Sequence, residues 1–270
     1  MSKNFLAYFG GKKTISYKMP ARKSINTFEV RALNSAINYY RKKNKEIGFQ
    51  DHFEKIYSKK FSRFLGGGYS DVVATGTLAL MNAIQSLELP KGSEILTSPI
   101  SDPGTLSAII MLGHKPKLMD SEENSYAINF ENLKKRTTKN TKAVLLVHPV
   151  GQSIKMKKIV KFLKKKKIYL IEDCSQSHGA KCFACKGCKC EKKVGTFGDI
   201  AAFSTMYKKA HVTGSTGGVV FTKRKSLHLK ALAYADRGKP IWKGEEISKN
   251  PKKYLFPSLN INSNEFSCAV

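Results

Sequence analysis

The side chains best suited to chemistry in this 270-residue sequence lie between Tyr169 and Val220. The run YLIEDCSQSHGA ends an apolar stretch in a carboxylate, Asp173, and places an amide, Gln176, three residues on. Further along, FSTMYKK puts a hydroxyl, Ser204, five positions before an amine, Lys209, and a glycine-rich return, GSTGGVVF, follows. An amine condenses with a carbonyl carbon, and a carboxylate at the end of a buried strand holds a proton on a ring nitrogen. A hydroxyl beside the free N–H groups of a helix start holds a phosphate. Together these residues suit an aldehyde that carries a ring nitrogen and a phosphate. Each also has an ordinary reading. An aspartate after a strand is often a helix cap, and one lysine among 48 Lys+Arg is usually surface.

The elements that must position them alternate along the chain. FEVRALNSAINYYRKK and HFEKIYSKKFSRFL carry apolar residues at helical spacing, and the second is stopped by Gly66 to Gly68. Asp71 to Ala74 reads as a short buried strand, Thr75-Gly76-Thr77 as a turn and Leu78 to Leu87 as a helix, a geometry that exposes backbone N–H groups to an anion. A strand at Ser93 to Ser98, a helix at Thr105 to Leu112, a strand at Lys115 to Met119 and a helix at Phe130 to Arg136 follow. AVLLVHPVG (Ala143 to Gly151) is the near-continuous apolar run of a strand buried in a parallel sheet. A lysine-rich helix (Ile154 to Ile168) then leads into the strand IYLIED. This alternation predicts an α/β fold with a mostly parallel, doubly wound sheet. Ligands of such sheets sit beyond the carboxyl ends of the strands, so Thr75 to Thr77, His148 and Asp173 are expected on one rim.

Composition sets bounds. The formal charge is +28, from 48 Lys+Arg against 20 Asp+Glu. Such a balance suits a nucleic-acid or anionic-surface partner, but the basic residues are spread over the whole chain. The densest run, IKMKKIVKFLKKKKI, sets Met156, Ile159, Val160 and Leu163 at helical spacing, which describes an amphipathic helix with a solvated lysine face. No nucleic-acid or membrane partner is therefore assigned. No apolar run approaches a bilayer span, and MSKNFLAYFGGKK is too short in its apolar part for a secretory signal, so a cytoplasmic protein is expected. Six cysteines in a chain of this size do not form a secreted disulfide framework.

Taken in order, the runs GT-x-AL, VHPVGQ, IEDCSQSHGA, VGTFGD, FSTMYKK and GSTGGVVFT resemble the DegT/DnrJ/StrS family. Its members are fold type I, pyridoxal-phosphate-dependent aminotransferases that act on keto groups of nucleotide-linked sugars. The resemblance implies a large domain in an α/β/α sandwich and pyridoxal 5'-phosphate as cofactor. It makes Lys209 the lysine that bonds to the cofactor, with the adjacent Lys208 as rival. Asp173 becomes the partner of the pyridine nitrogen, Gln176 the amide near the phenolic oxygen, and Gly76, Thr77 and Ser204 phosphate contacts. Asn260, in SLNINSNEF, becomes the asparagine that reaches the cofactor of a neighbouring subunit, and a homodimer is implied. The implied activity transfers an amino group, from glutamate, to a nucleotide-sugar for surface polysaccharide or related glycans.

Departures from the family pattern are also legible. In the loop after the second strand, where an aromatic residue stacks on the cofactor, this chain has Asp102 and Pro103. A dehydratase branch replaces the lysine with histidine; here the position keeps Lys209, and His211 falls two residues on. The other alternative, from a different class, is a non-catalytic basic binding protein. CFACKGCKC sets Cys182, Cys185, Cys188 and Cys190 at a spacing that suits Zn²⁺ or an iron–sulfur cluster, or else a reduced surface loop; the family's chemistry needs no metal and none is assigned. Residues 1–28 read as an N-terminal segment and 29–235 as the cofactor-binding domain. Residues 236–270 read as the start of a smaller domain cut short at Val270, so that a fragment is expected.

Overall fold

The computed structural model describes residues 6–18, 25–182, 192–239 and 256–270, together with the backbone of 241–242 and 245–246. Two helices lead, α1 (Thr27–Lys43) and α2 (His52–Phe64). A capping box starts α1: Asn26 Oδ1 accepts from the Phe28 N–H at 2.7 Å while Glu29 accepts from the Asn26 N–H at 2.8 Å. Strands and helices then alternate as β1 (Tyr69–Val73), α3 (Gly76–Gln85), β2 (Glu94–Thr97), α4 (Pro103–Met111) and β3 (Lys115–Leu118). They continue as α5 (Phe130–Arg136), β4 (Thr141–Val147), α6 (Met156–Lys166), β5 (Tyr169–Asp173), β6 (Ile200–Ser204), β7 (Gly218–Thr222) and α7 (Lys225–Ala235), before a final short helix, α8 (Glu265–Ala269).

The seven strands form one sheet in the order β1-β7-β6-β5-β4-β2-β3. The pairs from β6 through β3 are parallel, whereas β7 runs antiparallel to both β6 and β1. Along each strand alternate residues enter opposite layers. Leu80, Ile84, Ile109 and Leu227, from α3, α4 and α7, pack on Leu145, Ile171 and Val220 on one face. On the other, Leu133, Ile159 and Leu163 of α5 and α6 meet Val144, Leu146 and Leu170, and Phe61 and Leu65 from the α2 region meet Phe203 and Val219. This is an α/β/α sandwich. The lysine-rich helix is α6; its apolar stripe, Met156, Ile159 and Leu163, is buried and its last turn carries Lys164, Lys165 and Lys166.

Two element ends differ from the sequence reading, and both shape the site. Helix α3 begins at Gly76 rather than Leu78, because Thr75 caps it: its Oγ1 accepts from the Leu78 N–H at 3.1 Å. Gly76 and Thr77 are thus first-turn residues, whose N–H groups have no acceptor within the helix. Strand β4 stops at Val147, where Pro149 cannot donate to a ladder and Pro149–Gly151 close a 3₁₀ turn. Residues 256–270 return to the sandwich. Ile261 bridges the Ala235 carbonyl and the Ala74 N–H at 2.9 and 2.8 Å. Buried Glu265 sits at the start of α2, accepting from the Asp51 and Phe53 N–H groups at 2.9 and 2.7 Å and from the Tyr40 hydroxyl at 2.7 Å.

Candidate active site

A cavity of about 490 Å³ opens at the carboxyl ends of the central strands and is lined by Gly76, Thr77, Asp173, Gln176, Ser204 and Lys209. Six of the seven residues singled out from the sequence therefore converge. The seventh, Asn260, is not among the lining residues; it pairs with Asp236 in a β-bridge, and its Oδ1 accepts from the Asn262 N–H at 3.2 Å.

Local structure accounts for each placement. Asp173 ends β5 with only 3% of its surface exposed, one carboxylate oxygen accepting from the Thr105 hydroxyl at 2.8 Å and the other from the Ser175 N–H at 3.0 Å. Gln176 Oε1 accepts from the Val150 N–H at 2.9 Å. A backbone N–H can only meet the amide oxygen, so the amide orientation is fixed and its NH₂ is the group left to donate. Val150 itself is held at φ 45°, a left-handed conformation that costs a β-branched residue roughly 1–3 kcal/mol. Val150 lines the same cavity.

At the other end, the α3 start and the last residue of β6 approach closely. A Cβ on Gly76 would stand 2.5 Å from Ser204 Cβ and 2.8 Å from its Oγ, so only glycine admits this contact. Gly104 also lies close, since a Cβ there would stand 2.6 Å from Thr77 Oγ1. Two hydroxyls and two first-turn N–H groups are thereby gathered around one small space, the donor set an anionic phosphate requires. The loop that carries the lysines reaches the same cavity through Met206 and Lys209. Lys209 is half-buried and lines the cavity, whereas exposed Lys208 lies 5.4 Å from the Tyr207 ring and outside it.

The histidines behave differently from the sequence expectation. His148 does follow β4, but its side chain is fully buried in the opposite layer and does not share the rim. Its Nδ1 accepts from the Ile154 N–H at 3.3 Å, so its ring proton sits on Nε2, 3.0 Å from Glu172 Oε2. Strand alternation sends Glu172 to the face opposite Asp173. There Glu172 also accepts from the N–H groups of Gly195, Phe197 and Gly198 at 2.8, 2.8 and 2.6 Å. Cys174 completes a compact His–Glu–Cys group, but the carboxylate is already saturated with donors and burial pushes the thiol pKa well up, so this is a structural knot rather than a ligand set. His178 and His211 line a separate, largely apolar cavity behind the lysine loop, where the Tyr57 hydroxyl and His211 Nε2 lie 2.7 Å apart. Of the cysteine-rich insertion, Cys182 is buried with its thiol 3.3 Å from the Ile154 carbonyl oxygen; Cys185, Cys188 and Cys190 lie outside the described residues.

Residues 42–270 match the model of the DegT/DnrJ/EryC1/StrS aminotransferase family. The chain belongs to this family. Among its relatives, GDP-perosamine synthase of Escherichia coli O157:H7 is 31% identical over 192 residues, 71% of this chain and 50% of that protein. The dTDP-3-amino-3,6-dideoxy-alpha-D-galactopyranose transaminase of Aneurinibacillus thermoaerophilus is 30% identical over 216 residues, 79% of this chain and 54% of the relative. An aminotransferase from Psychrobacter cryohalolentis superposes with a TM-score of 0.80 at 25% identity, over 93% of this chain and 62% of that one. The chain thus spans about half the length of the curated relatives it matches. The fold is that of the type I large domain shared by these family members.

Two site features were beyond sequence reasoning. Thr105, which orients Asp173, was read as the first residue of a helix; a hydroxyl in a helix's first turn carries no signal until the sheet brings it beside β5. Tyr126 lines the cavity from the turn-rich acidic segment before α5, for which the sequence suggested no role at the site. The loop after β2, in contrast, was read correctly as lacking an aromatic residue: Ser101, Asp102 and Pro103 stand in the wall, with Asp102 capping α4 through the Gly104 N–H at 2.9 Å.

Proposed function

We propose that this chain forms the cofactor-binding part of a pyridoxal-phosphate-dependent aminotransferase that moves an amino group, from glutamate, to a keto group of a nucleotide-linked sugar. The observation that carries this reading is the convergence of Lys209, Asp173 and the Gly76–Thr77–Ser204 cradle on one cavity. When bound, pyridoxal phosphate supplies an aldehyde and an electron-accepting ring, which takes up the charge left when a proton leaves the carbon beside the amine. In this reading Gly76, Thr77 and Ser204 hold the phosphate and so fix position rather than perform chemistry. Asp173 keeps the ring nitrogen protonated, and the Thr105 hydroxyl holds its carboxylate in place. The NH₂ of Gln176 donates to the ring's phenolic oxygen. Lys209 Nζ anchors the aldehyde and then serves as the base that takes and returns the substrate proton.

The GDP- and dTDP-sugar relatives support a nucleotide-sugar substrate and a role in surface polysaccharide or related glycan synthesis. A GDP-4-keto-6-deoxymannose-3-dehydratase is also similar in structure, with a TM-score of 0.77 at 25% identity. Against a dehydratase stands the lysine at the site; the nearby His211 instead packs on Tyr57, with ring centroids 5.6 Å apart, in the other cavity. A homodimer, with Asn260 reaching the partner's cofactor, forms part of the proposal and is supported by the apolar side chains exposed on α1 and α2, Phe28, Val30, Ile37 and Ile56. Residence in the cytoplasm goes with such a substrate, and among the described residues no helix is long and apolar enough to cross a membrane. We assign residues 29–235 to the cofactor-binding unit.

The test is an absorbance spectrum of purified protein with added pyridoxal phosphate, followed by borohydride reduction and peptide mapping. A visible band with the label on Lys209 is expected. Label scattered over many lysines, with no band, would sink the cofactor reading and favour a basic binding protein.

A further inference from the structure

We propose that Tyr126 is the specificity-determining wall of this cavity, stacking against a ring face of the nucleotide-sugar substrate; the inference rests on the function proposed above. Tyr126 is the one aromatic residue among those described as lining the cavity, and 49% of its surface is exposed. Its position is built rather than incidental. The segment from Ser121 to Ile128 closes on itself through a β-bridge between these two residues and a Glu122 N–H to Ala127 carbonyl bond of 2.8 Å. The Ala127 N–H meets Ser125 Oγ at 3.0 Å, and Asn124 takes the left-handed φ of 54° that the turn requires. Ile128, 2% exposed, nails the base of this hairpin into the core packed by α5 and α6.

Strand order indicates which ligand meets the ring. The phosphate cradle and Lys209 belong to the β6 end of the cavity and Asp173 to β5, whereas Tyr126 follows β3, three strands beyond β5. At about 4.8 Å per strand, the hairpin is rooted roughly 14 Å past the strand that carries Asp173. A cofactor with its phosphate at Gly76 and its ring nitrogen at Asp173 occupies the near end. The far end, walled by Ile100, Val150 and Tyr126, is left for substrate. A tyrosine face there offers stacking to a nucleobase or to the C–H face of a sugar, contacts that share one chemistry.

The experiment is titration calorimetry on the full chain loaded with pyridoxal phosphate, comparing wild type, Tyr126→Ala and Tyr126→Phe. The probes are GDP-mannose, dTDP-glucose, UDP-N-acetylglucosamine and the corresponding free nucleoside diphosphates. For the nucleotide sugar that wild type binds most tightly, Tyr126→Ala is expected to weaken binding about tenfold and Tyr126→Phe less than about twofold. Cofactor affinity and absorbance should be the same in all three proteins. If the free diphosphate weakens equally, the base is the stacked ring; if only the nucleotide sugar does, it is the sugar. Unchanged nucleotide-sugar affinity in Tyr126→Ala, or a matching loss of cofactor affinity, overturns the inference. So does a wild type that binds cofactor but none of the three sugars. A wild type that binds no cofactor fails at the earlier step, and the function proposed above falls first.

Discussion

His178 gives the most quantitative test of the packing around the lysine loop. Neither ring nitrogen has a hydrogen-bond partner among the described residues, and the ring lies 5.4 Å from Phe203 and 6.1 Å from His211. Burial, and then the charges of His211 and Lys209, push its pKa down from 6.5 to about 4. A histidine with a depressed folded-state value stays neutral in the native protein while the unfolded chain takes up a proton, so stability is fully present above pH 6.5 and is lost as pH falls toward 4. Linkage with these two values gives a loss of about 2 kcal/mol between pH 7.5 and pH 5. The perturbation is His178→Leu, which removes the titrating group from an apolar cavity that can accept the side chain. Urea unfolding at pH 7.5, 6 and 5, followed by far-ultraviolet circular dichroism, reads the effect. The wild-type midpoint should fall by roughly 0.8 M more than that of the variant over this range. The histidines remote from this pair titrate alike in both proteins and cancel in the difference. Parallel pH slopes would refute the reasoning, because they would mean that His178 is solvated or hydrogen-bonded in the native state.

Other consequences follow from the site geometry. Lys209→Ala should abolish the cofactor's visible absorbance band while Lys208→Ala keeps it, since only the former lines the cavity; equal loss in both would remove the assignment. Gly76→Ala puts a Cβ 2.5 Å from Ser204 Cβ, so it should destabilise by about 1–3 kcal/mol and weaken cofactor binding more than tenfold, measured by thermal melts and by titration. Val150→Gly should do the reverse for stability. It releases the left-handed strain at the cost of glycine's extra backbone freedom, for a net gain of about 1 kcal/mol and a rise in melting temperature of a few degrees. A lower melting temperature would show that Val150 is not strained.

Much of this protein could be read in the sequence because the signals are local. The apolar run of β4 and the stripe of Met156, Ile159 and Leu163 on α6 recur at the strand and helix periods, and each needs only its neighbours to be recognised. Ordered short motifs were enough to nominate Asp173, Ser204 and Lys209. What lay outside reach depended on contacts between distant segments. His148 follows the last residue of β4 and Asp173 ends the adjacent parallel β5, yet one is buried with Glu172 while the other faces the cavity, a difference set by side-chain parity across the sheet. The support of Asp173 by Thr105 and the arrival of Tyr126 at the far wall each required the order β6-β5-β4-β2-β3. A sequence specifies periodicity and caps within a few residues. Which loops meet at a rim is decided only when the whole sheet closes, since chain segments far apart in sequence are brought together by burial of both faces at once.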